Sequence, residues 1–272
     1  MTSVPNSQDL GAGMAAFDLS GRTALITGSS RGIGAAIARQ LASQGARVVI
    51  SSRQIEACDA VADDINARHG QGRAIAIAAN ISHKEDLARL AAETGDRLGD
   101  IDILVCNAAT NPVYGPMLDI TDEQFGKILS NNILSNHWLV QLVAPGMIAR
   151  RRGSIILISS IGGLTGSTVV GAYNVSKAAD LQLARNLALE FGPHNVRVNA
   201  IAPGLIRTDF ARALWEDPRA QARVAQATAL QRIGEAAEIA GAAGYLASDA
   251  AAYMTGQTLV IDGGATISGL TP

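Results

Sequence analysis

The sequence predicts an α/β fold in which helices cover both faces of a single parallel sheet. From residue 17 onward, short apolar segments alternate with longer amphipathic ones. Most of the short segments are continuously apolar, which is typical of parallel strands that are buried on both faces. Strands and helices that alternate at this spacing indicate a doubly wound arrangement with about seven strands.

Each element can be placed from its pattern. Right-handed crossovers between successive parallel strands leave only a few topologies, and the three-layer Rossmann order is favoured among them. The predicted strands are Thr23–Thr27, Arg47–Ser51, Ala74–Ala79, Ile103–Asn107, Ser154–Ser159, Arg197–Ala202 and Thr258–Ile261. The predicted helices are Ile33–Gln44, Ile55–His69, Lys84–Leu98, Asp122–Arg151, Tyr173–Phe191 and Glu235–Ser248.

The chain is predicted to form one catalytic domain over residues 17–272, preceded by a flexible N-terminal tail over residues 1–16. No internal repeat or linker interrupts the domain. The segment from 203 to 232 is long for a connection in a compact domain, and it follows the carboxyl end of a strand. Such segments usually form a lid or a substrate loop.

Composition excludes several classes of protein. Of 272 residues, 48% are hydrophobic and 17% are charged, so the chain can bury a sizeable core. A net charge of −2 argues against a nucleic-acid or acidic-membrane partner held by bulk electrostatics. No apolar run is long enough to cross a bilayer. Because Cys58 and Cys106 form no CxxC pair, we expect no disulfide framework, no metal site and a cytoplasmic location.

A glycine-rich turn lies between the first strand and the first helix. Its spacing is GxxxGxG, and no lysine follows it as in a nucleotide triphosphatase loop. Glycines let backbone N–H groups approach a pyrophosphate closely, and the helix dipole favours an anion at the same place. We therefore predict dinucleotide binding by this turn, with Gly28, Ser30, Arg31, Gly32, Ile33 and Gly34 as its contact residues.

Four further motifs extend the pattern along the chain. They are Asn107-Ala108-Ala109, Tyr173-x-x-x-Lys177, Pro203-Gly204 and Asp262-Gly263-Gly264. Together with the glycine turn, they make the sequence from 17 to 264 resemble the short-chain dehydrogenase/reductase family. Two positions depart from the usual pattern: Ala109 replaces a glycine, and Asn80 replaces an aspartate that faces the adenine.

A tyrosine and a lysine supply the predicted acid–base chemistry. Tyr173 and Lys177 are four residues apart, so they share one face of a helix. A neighbouring ammonium stabilises a phenolate and lowers the tyrosine pKa towards neutrality. By resemblance, Tyr173 is the general acid in carbonyl reduction, and Lys177 also binds the nicotinamide ribose. The resemblance adds Ser160, chosen over the adjacent Ser159, as the group that holds the substrate oxygen.

The resemblance also assigns a fourth catalytic position and most of the cofactor contacts. The fourth residue is an asparagine that anchors a water in a proton relay; the adjacent candidates are Asn131 and Asn132, and counting along the motif selects Asn132. The cofactor contacts beyond the glycine turn are Ser52, Arg53, Asn80, Ile81, Asn107, Ala108, Tyr173, Lys177, Pro203, Gly204, Ile206 and Thr208.

The end of the second strand predicts the cofactor type. NAD-specific proteins of this fold place an acidic residue here to bind the ribose 2′-hydroxyl, whereas this chain has Ser52 followed by Arg53. Arg53, and Arg31 in the glycine turn, are suited to bind a 2′-phosphate through forked hydrogen bonds. We therefore expect NADP(H) to be preferred over NAD(H).

The predicted function is hydride transfer between NADP(H) and a carbonyl/secondary alcohol pair. The alternatives are an NAD-dependent alcohol dehydrogenase of the same family and a non-catalytic dinucleotide-sensing protein. Enoyl reductases of the family space the tyrosine and lysine by seven positions, which disfavours C=C reduction. By resemblance, a homotetramer is expected.

The substrate pocket is expected to be largely apolar. Its predicted walls are 111–114, 162–170 and 205–215, with Arg207 and Arg212 available for an anionic or carrier-bound substrate. The apolar side chains expected to line it are Tyr114, Leu164, Val169, Ile206, Phe210 and Trp215.

Overall fold

The computed structural model describes residues 15–216 and 218–268, and it contains the predicted doubly wound sheet. Most of the predicted N-terminal tail, residues 1–14, lies outside the described residues. The seven strands are all parallel and lie in the order β3-β2-β1-β4-β5-β6-β7. The strands are β1 Thr23–Thr27, β2 Arg47–Ser51, β3 Ala74–Ala76, β4 Ile103–Cys106, β5 Gly153–Ile158, β6 Val196–Pro203 and β7 Thr258–Ile261.

Helices cover both faces of the sheet. The strand order reverses direction between β1 and β4, which is where doubly wound sheets open a crevice at the carboxyl ends of their strands. The helices are α1 Gly32–Ser43, α2 Ile55–His69, α3 Lys84–Leu98, α4 Asp122–Leu129, α5 Ser135–Arg150, α6 Gly171–Phe191, α7 Arg212–Trp215, α8 Pro218–Gln226 and α9 Ala236–Ala247.

Two apolar cores hold the layers together, one on each face of the sheet. Helices α1, α2 and α9 pack on one face, and α3, α5 and α6 pack on the other. Alternate residues of β1 show the division: Ile26 belongs to the first core and Leu25 to the second, and both are fully buried. This explains why the strands are continuously apolar in sequence.

Several strand ends differ from the predicted ones by a few residues. The largest difference is in β3, predicted to continue to residue 79 but ending at Ala76. Beyond it, Ile77 and Ala79 each donate one backbone hydrogen bond to the chain at β2, so the segment stays beside the sheet without a regular ladder. Likewise Asn107 leaves β4, because its backbone N–H donates to the Thr27 hydroxyl.

The predicted helix 122–151 is not continuous. A π-helical turn, Ser130–Leu134, separates α4 from α5. Two carbonyls of this turn accept hydrogen bonds from side chains at the start of α5. The Ser135 hydroxyl donates to the Asn131 carbonyl (2.6 Å), and the Asn136 amide donates to the Asn132 carbonyl (2.7 Å). Side chains therefore take up carbonyls that a regular helix would pair with backbone, which is a recognised cause of such bulges.

The predicted lid after β6 contains short helices. Residues 209–211 form a 3₁₀ turn that leads into α7, and α8 follows. Trp215 anchors the first part, because its indole N–H donates to the Thr208 carbonyl at 3.0 Å. This places residues 205–211 beside the crevice between β1 and β4.

Candidate active site

A large cleft opens at the carboxyl ends of the central strands. Its volume is about 1000 Å³, the upper end of the range for ligand pockets. Seventeen of the eighteen predicted cofactor contacts and all but one of the predicted catalytic residues line it. Gly34 and Asn132 are the predicted site residues that do not. Those that line it are Gly28, Ser30, Arg31, Gly32, Ile33, Ser52, Arg53, Asn80, Ile81, Asn107, Ala108, Ser160, Tyr173, Lys177, Pro203, Gly204, Ile206 and Thr208.

The glycine turn has a backbone shape that lets a bound anion come close to its N–H groups. Gly28 and Gly32 have φ of +64° and +57°, values that favour glycine. A Cβ on Gly28 would lie 2.9 Å from the Ala108 Cα, so the loop after β4 excludes a side chain there. Helix α1 starts at Gly32 without a side-chain cap, which leaves N–H groups at its first turn available to an anion.

Gly34 supports the turn from behind rather than lining the cleft. A Cβ at this position would lie 2.4 Å from the Gly28 carbonyl oxygen and 2.6 Å from the Asn107 Nδ2. Its lack of a side chain lets α1 pack under the turn. The Asn107 amide secures the same place, donating to the carbonyls of Thr27 (2.9 Å) and Gly28 (3.0 Å).

The predicted 2′-phosphate site has two arginines in different surroundings. Arg53 is exposed, lines the cleft and has no ion pair with a described residue. The Arg31 side chain is 72% exposed and lies 3.8 Å from the Asp209 carboxylate in the segment after β6. Ser52 is partly buried beside Cys58, with 3.1 Å between the Oγ and Sγ atoms. No carboxylate occupies the position after β2 that would repel a 2′-phosphate.

Tyr173, Lys177 and Ser160 converge at the inner end of the cleft. The Lys177 Nζ lies 5.7 Å from the centre of the Tyr173 ring, and the lysine is only 2% exposed. Its ammonium donates to the Ile158 carbonyl (2.8 Å) and to the Asp180 carboxylate (3.0 Å). Of the two adjacent serines, Ser159 is buried and its hydroxyl donates to the Lys177 backbone carbonyl, whereas the Ser160 hydroxyl accepts from the Gly162 N–H.

Burial and the neighbouring Lys177 shift the pKa of Tyr173 in opposite directions. Burial raises the pKa of its phenol above the ordinary value, and Lys177 and a hydrogen bond with Ser160 lower it by less. The net shift is upward, contrary to the decrease expected from the tyrosine–lysine pair alone. Burial lowers the pKa of Lys177, but the Asp180 carboxylate and Tyr173 raise it by more, so the lysine remains charged.

The Asn132 side chain is bonded to protein groups and does not line the cleft. It is fully buried; the Oδ1 accepts from the Thr110 N–H (2.8 Å), and the Nδ2 donates to the Thr110 carbonyl and the Ser176 hydroxyl, both at 3.0 Å. The Asn132 carbonyl accepts from Asn136. The neighbouring Asn131 lines the cleft and accepts from the Ser82 hydroxyl.

The substrate end of the cleft is more polar than its sequence suggested. Of the six predicted apolar side chains, Tyr114, Ile206 and Phe210 line it, but the other three do not. Thr165 and Ser167, which lie in the predicted wall 162–170, line the same region and contribute hydroxyl groups to it.

Arg207 and Arg212, expected to be available to a substrate, do not line the cleft. Arg207 pairs with Glu235 at 3.2 Å and packs over the Trp215 ring, and Arg212 pairs with Asp209 at 2.6 Å. These contacts favour a structural role within the segment after β6. Within residues 15–216 and 218–268, no group of three or more histidine, cysteine or acidic side chains is placed to bind a metal ion.

Comparison with known proteins decides the family. A family model described as enoyl-(acyl carrier protein) reductase matches residues 28–266. The chain belongs to the short-chain dehydrogenase/reductase family. Dehydrogenase/reductase SDR family member 4 from Bos taurus is 42% identical over 249 residues, covering 90% of this chain and 88% of that protein. The Homo sapiens protein of the same name is 40% identical with the same coverage. The short-chain dehydrogenase/reductase relatives support dehydrogenase or reductase activity.

Solved short-chain dehydrogenase/reductase structures share the fold. A gluconate 5-dehydrogenase from Burkholderia cenocepacia, in complex with NADP and tartrate, superposes with a TM-score of 0.89 at 32% identity, covering 94% of this chain and all of that one. A 3-oxoacyl-(acyl-carrier-protein) reductase from Agrobacterium tumefaciens with NADP bound superposes with a TM-score of 0.87 at 36% identity, covering 96% of this chain and all of that one.

None of the helices described here is long and apolar enough to cross a membrane.

Proposed function

We propose that the protein is an NADP(H)-dependent reductase of carbonyl compounds, with Tyr173 as the general acid. The observation that supports it most is the meeting of Tyr173, Lys177 and Ser160 at the inner end of a cleft whose outer part is a glycine turn. A proton donor, its charged neighbour and a second hydroxyl lie together where a dinucleotide would end.

The residues present fit a nicotinamide dinucleotide. Positive φ angles at Gly28 and Gly32 and the uncapped start of α1 form a cradle for a pyrophosphate. Lys177 keeps one ammonium N–H beyond its two protein partners, and it lines the cleft, so it can bind a ribose hydroxyl. When bound, the cofactor supplies the hydride; the protein supplies orientation and a proton.

Proton donation is the task that the surroundings of Tyr173 favour. Because burial raises its pKa, the phenol is protonated at neutral pH and can donate to a carbonyl oxygen as negative charge develops there. In this proposal the Ser160 hydroxyl, which lines the same cleft, donates a second hydrogen bond to that oxygen, an oxyanion-stabilising role. Asn132, expected to anchor a water in a proton relay, fixes Thr110 at the cleft through two hydrogen bonds, so its proposed contribution is indirect.

The preference for NADP(H) rests on Ser52 and Arg53. No acidic side chain stands after β2, and the Arg53 guanidinium is available at the cleft. Two solved relatives hold NADP, which agrees with the proposal without extending to this chain. Arg31 can add a second guanidinium if it leaves Asp209, whose carboxylate is 3.8 Å away.

Reduction of a C=C bond is the competing reaction, because the matching family model carries that description. The four-residue spacing of Tyr173 and Lys177 favours the carbonyl reaction. The test is oxidation of NADPH against a panel of ketones, aldehydes, diketones, 3-oxoacyl thioesters and enoyl thioesters, repeated with NADH. Turnover of carbonyl substrates only supports the proposal; turnover of enoyl substrates only contradicts it. Turnover with NADH alone would instead favour an NAD-dependent alcohol dehydrogenase.

Three further parts of the proposal concern the molecule as a whole. Residues 203–232 act as a lid, since the segment 205–211 lines the cleft on one side. A homotetramer and a cytoplasmic location remain predictions. The buried, unpaired thiols of Cys58 and Cys106 agree with a reducing compartment.

A further inference from the structure

Asp180 is a buried carboxylate beside the proposed catalytic lysine, and the tyrosine–lysine–serine scheme does not use it. It lies on α6 three residues after Lys177 and is fully buried. Its Oδ2 accepts from the Lys177 ammonium at 3.0 Å, and its Oδ1 accepts from the Asn136 amide at 3.0 Å. A carboxylate removed from water is costly unless it is paired and hydrogen-bonded, and here both oxygens are.

The Asp180 carboxylate belongs to a continuous buried hydrogen-bond network. The Asn136 amide donates to Asp180 and also to the Asn132 carbonyl in the π-helical turn, at 2.7 Å. The Asn132 amide in turn holds Thr110 after β4 and Ser176 on α6. The network thus ties the bulge between α4 and α5 to the charged end of Lys177.

Two fixed partners determine where the Lys177 ammonium points. An ammonium has three N–H donors. The Ile158 carbonyl takes one at 2.8 Å, and Asp180 takes the second at 3.0 Å. The third donor remains for the cleft, which Lys177 lines. Without the carboxylate, a 2%-exposed ammonium would keep only a neutral carbonyl as partner, and burial favours loss of its proton.

We propose that Asp180 is a positioning residue for catalysis: its carboxylate keeps Lys177 charged and holds its third N–H donor towards the cleft. The inference rests on the proposed function, because it gives Lys177 a role in binding and proton donation. It adds an acidic member to the site that acts only through the lysine.

Three further titratable groups lie near the Lys177–Asp180 pair, and their charges affect the pH dependence that the proposal predicts. Tyr173 faces it from α6, Cys106 from β4, and Tyr114 lies near the tyrosine. The Asp180 carboxylate raises the pKa of Tyr173, whereas Lys177 lowers it. Removing the Asp180 charge therefore lowers the pKa of Lys177 and, as long as the lysine is charged, that of Tyr173, and both changes move the alkaline loss of reductase activity to lower pH.

The lysine itself can be observed directly, because the chain contains only three lysines, Lys84, Lys127 and Lys177. We would label the lysine side chains with ¹³C at Cε and follow their NMR shifts against pH in the cofactor-free protein, assigning signals with Lys84→Arg and Lys127→Arg. Lys177 is expected to stay charged to the highest pH at which the protein is folded. In Asp180→Asn its midpoint should fall by at least about one pH unit.

A second buried carboxylate provides the matched control. Asp102 is 2% exposed and accepts from the Thr23 N–H at the opposite end of the sheet. Asp102→Asn should lower thermal stability but leave the Lys177 midpoint unchanged. An unchanged Lys177 midpoint in Asp180→Asn overturns the proposal, and so does an equal shift in Asp102→Asn.

Kinetics give an independent readout. With NADPH and a carbonyl substrate, Asp180→Asn should move the midpoint of the alkaline fall in kcat to lower pH by at least about one unit, so its deficit relative to wild type should be larger at pH 10 than at pH 6. Should Asp180→Asn fail to fold, Asn136→Ala removes one partner of the carboxylate and should shift the limb in the same direction by less. A uniform loss at every pH would indicate a merely structural role and overturn the proposal.

Failure of this inference can be told apart from failure of the proposed function. If Tyr173→Phe keeps normal carbonyl reductase activity, the proposed function is wrong whatever Asp180 does. If Tyr173→Phe is inactive and Asp180→Asn keeps the wild-type pH profile, only the role of Asp180 is wrong.

Discussion

At the scale of single residues, Tyr173 experiences two opposing influences, and burial exceeds the effect of Lys177. Reduction needs the protonated phenol, so kcat/KM for a carbonyl substrate should stay level through neutral pH. It should fall only on the alkaline side, near or above the ordinary tyrosine pKa of about 10. Oxidation of the matching alcohol should rise over the same interval. Initial rates between pH 5 and 11 measure both, and an alkaline fall centred near pH 7 would contradict this account.

The second prediction for single residues concerns the cofactor preference that we assign to Ser52 and Arg53. Wild-type protein should favour NADPH over NADH by at least about tenfold in kcat/KM, or roughly 1.4 kcal/mol. The double variant Ser52→Asp, Arg53→Ala should reverse that preference, because it introduces a carboxylate that repels a 2′-phosphate and removes a guanidinium. As a control, Arg68→Ala changes an exposed arginine paired with Asp64 on α2 and should leave the ratio unchanged. Equal efficiency of the wild type with the two cofactors would exclude a phosphate site here.

At the scale of elements, the glycine turn and α1 act as one unit. A Cβ on Gly34 would lie 2.4 Å from the Gly28 carbonyl, so Gly34→Ala must displace the turn, although Gly34 does not line the cleft. Overpacking of this kind costs about 1–3 kcal/mol, and 1.4 kcal/mol corresponds to tenfold in affinity. NADPH should therefore bind at least about fivefold more weakly, as measured by calorimetry.

Gly95 in α3 provides the control for that substitution. A Cβ there would meet nothing within 4 Å, and alanine favours a helix by up to about 1 kcal/mol over glycine. Gly95→Ala should bind NADPH normally and unfold at the same or a higher temperature. If Gly34→Ala also bound NADPH normally, the turn would not depend on the packing of α1 beneath it.

Sequence patterns predicted the strands of the sheet but not every boundary between elements. Continuously apolar strands predicted the sheet, because burial on both faces leaves no room for polar residues in the middle of a parallel strand. The π-helical turn at 130–134 was missed: its cause is a set of side-chain bonds from Ser135 and Asn136 to carbonyls, which apolar periodicity does not record. The strand ends were missed for a similar reason, as in the bond from Asn107 to Thr27.

Motifs predicted the candidate site better than its surroundings. The glycine turn and the tyrosine–lysine spacing are local in sequence, so they can be recognised without the fold. Asp180 was not predicted, because a lone acidic residue on a long helix is usually exposed. Its burial depends on contacts with Asn136, 44 positions away in the chain. The upward pKa shift of Tyr173 was missed because it depends on burial.

At the scale of the whole molecule, exposed apolar side chains support the predicted assembly. Leu189 on α6 is 81% exposed, Val260 on β7 is 42% exposed, and Tyr253 lies near β7, fully exposed. In the assembly expected by family resemblance, the helical segment 122–151 and α6 pair across one two-fold axis and β7 pairs across another, and these three positions lie on or beside α6 and β7. Sedimentation equilibrium should give four times the mass of the 28.1 kDa chain. Val260→Glu should yield smaller species, and a wild-type monomer at all concentrations would refute the assembly.

The proposed chemistry is tested most directly by Tyr173→Phe, which removes only the phenolic proton donor. For the carbonyl substrate that the wild type reduces best, kcat should fall about 10²–10⁴-fold, the range for loss of a general acid. The NADPH dissociation constant should stay within about twofold, since the lysine and the glycine turn are untouched. Tyr245→Phe, at a tyrosine that packs on Phe17 away from the cleft, is the matched control and should behave as wild type. Near-normal turnover by Tyr173→Phe would contradict the account.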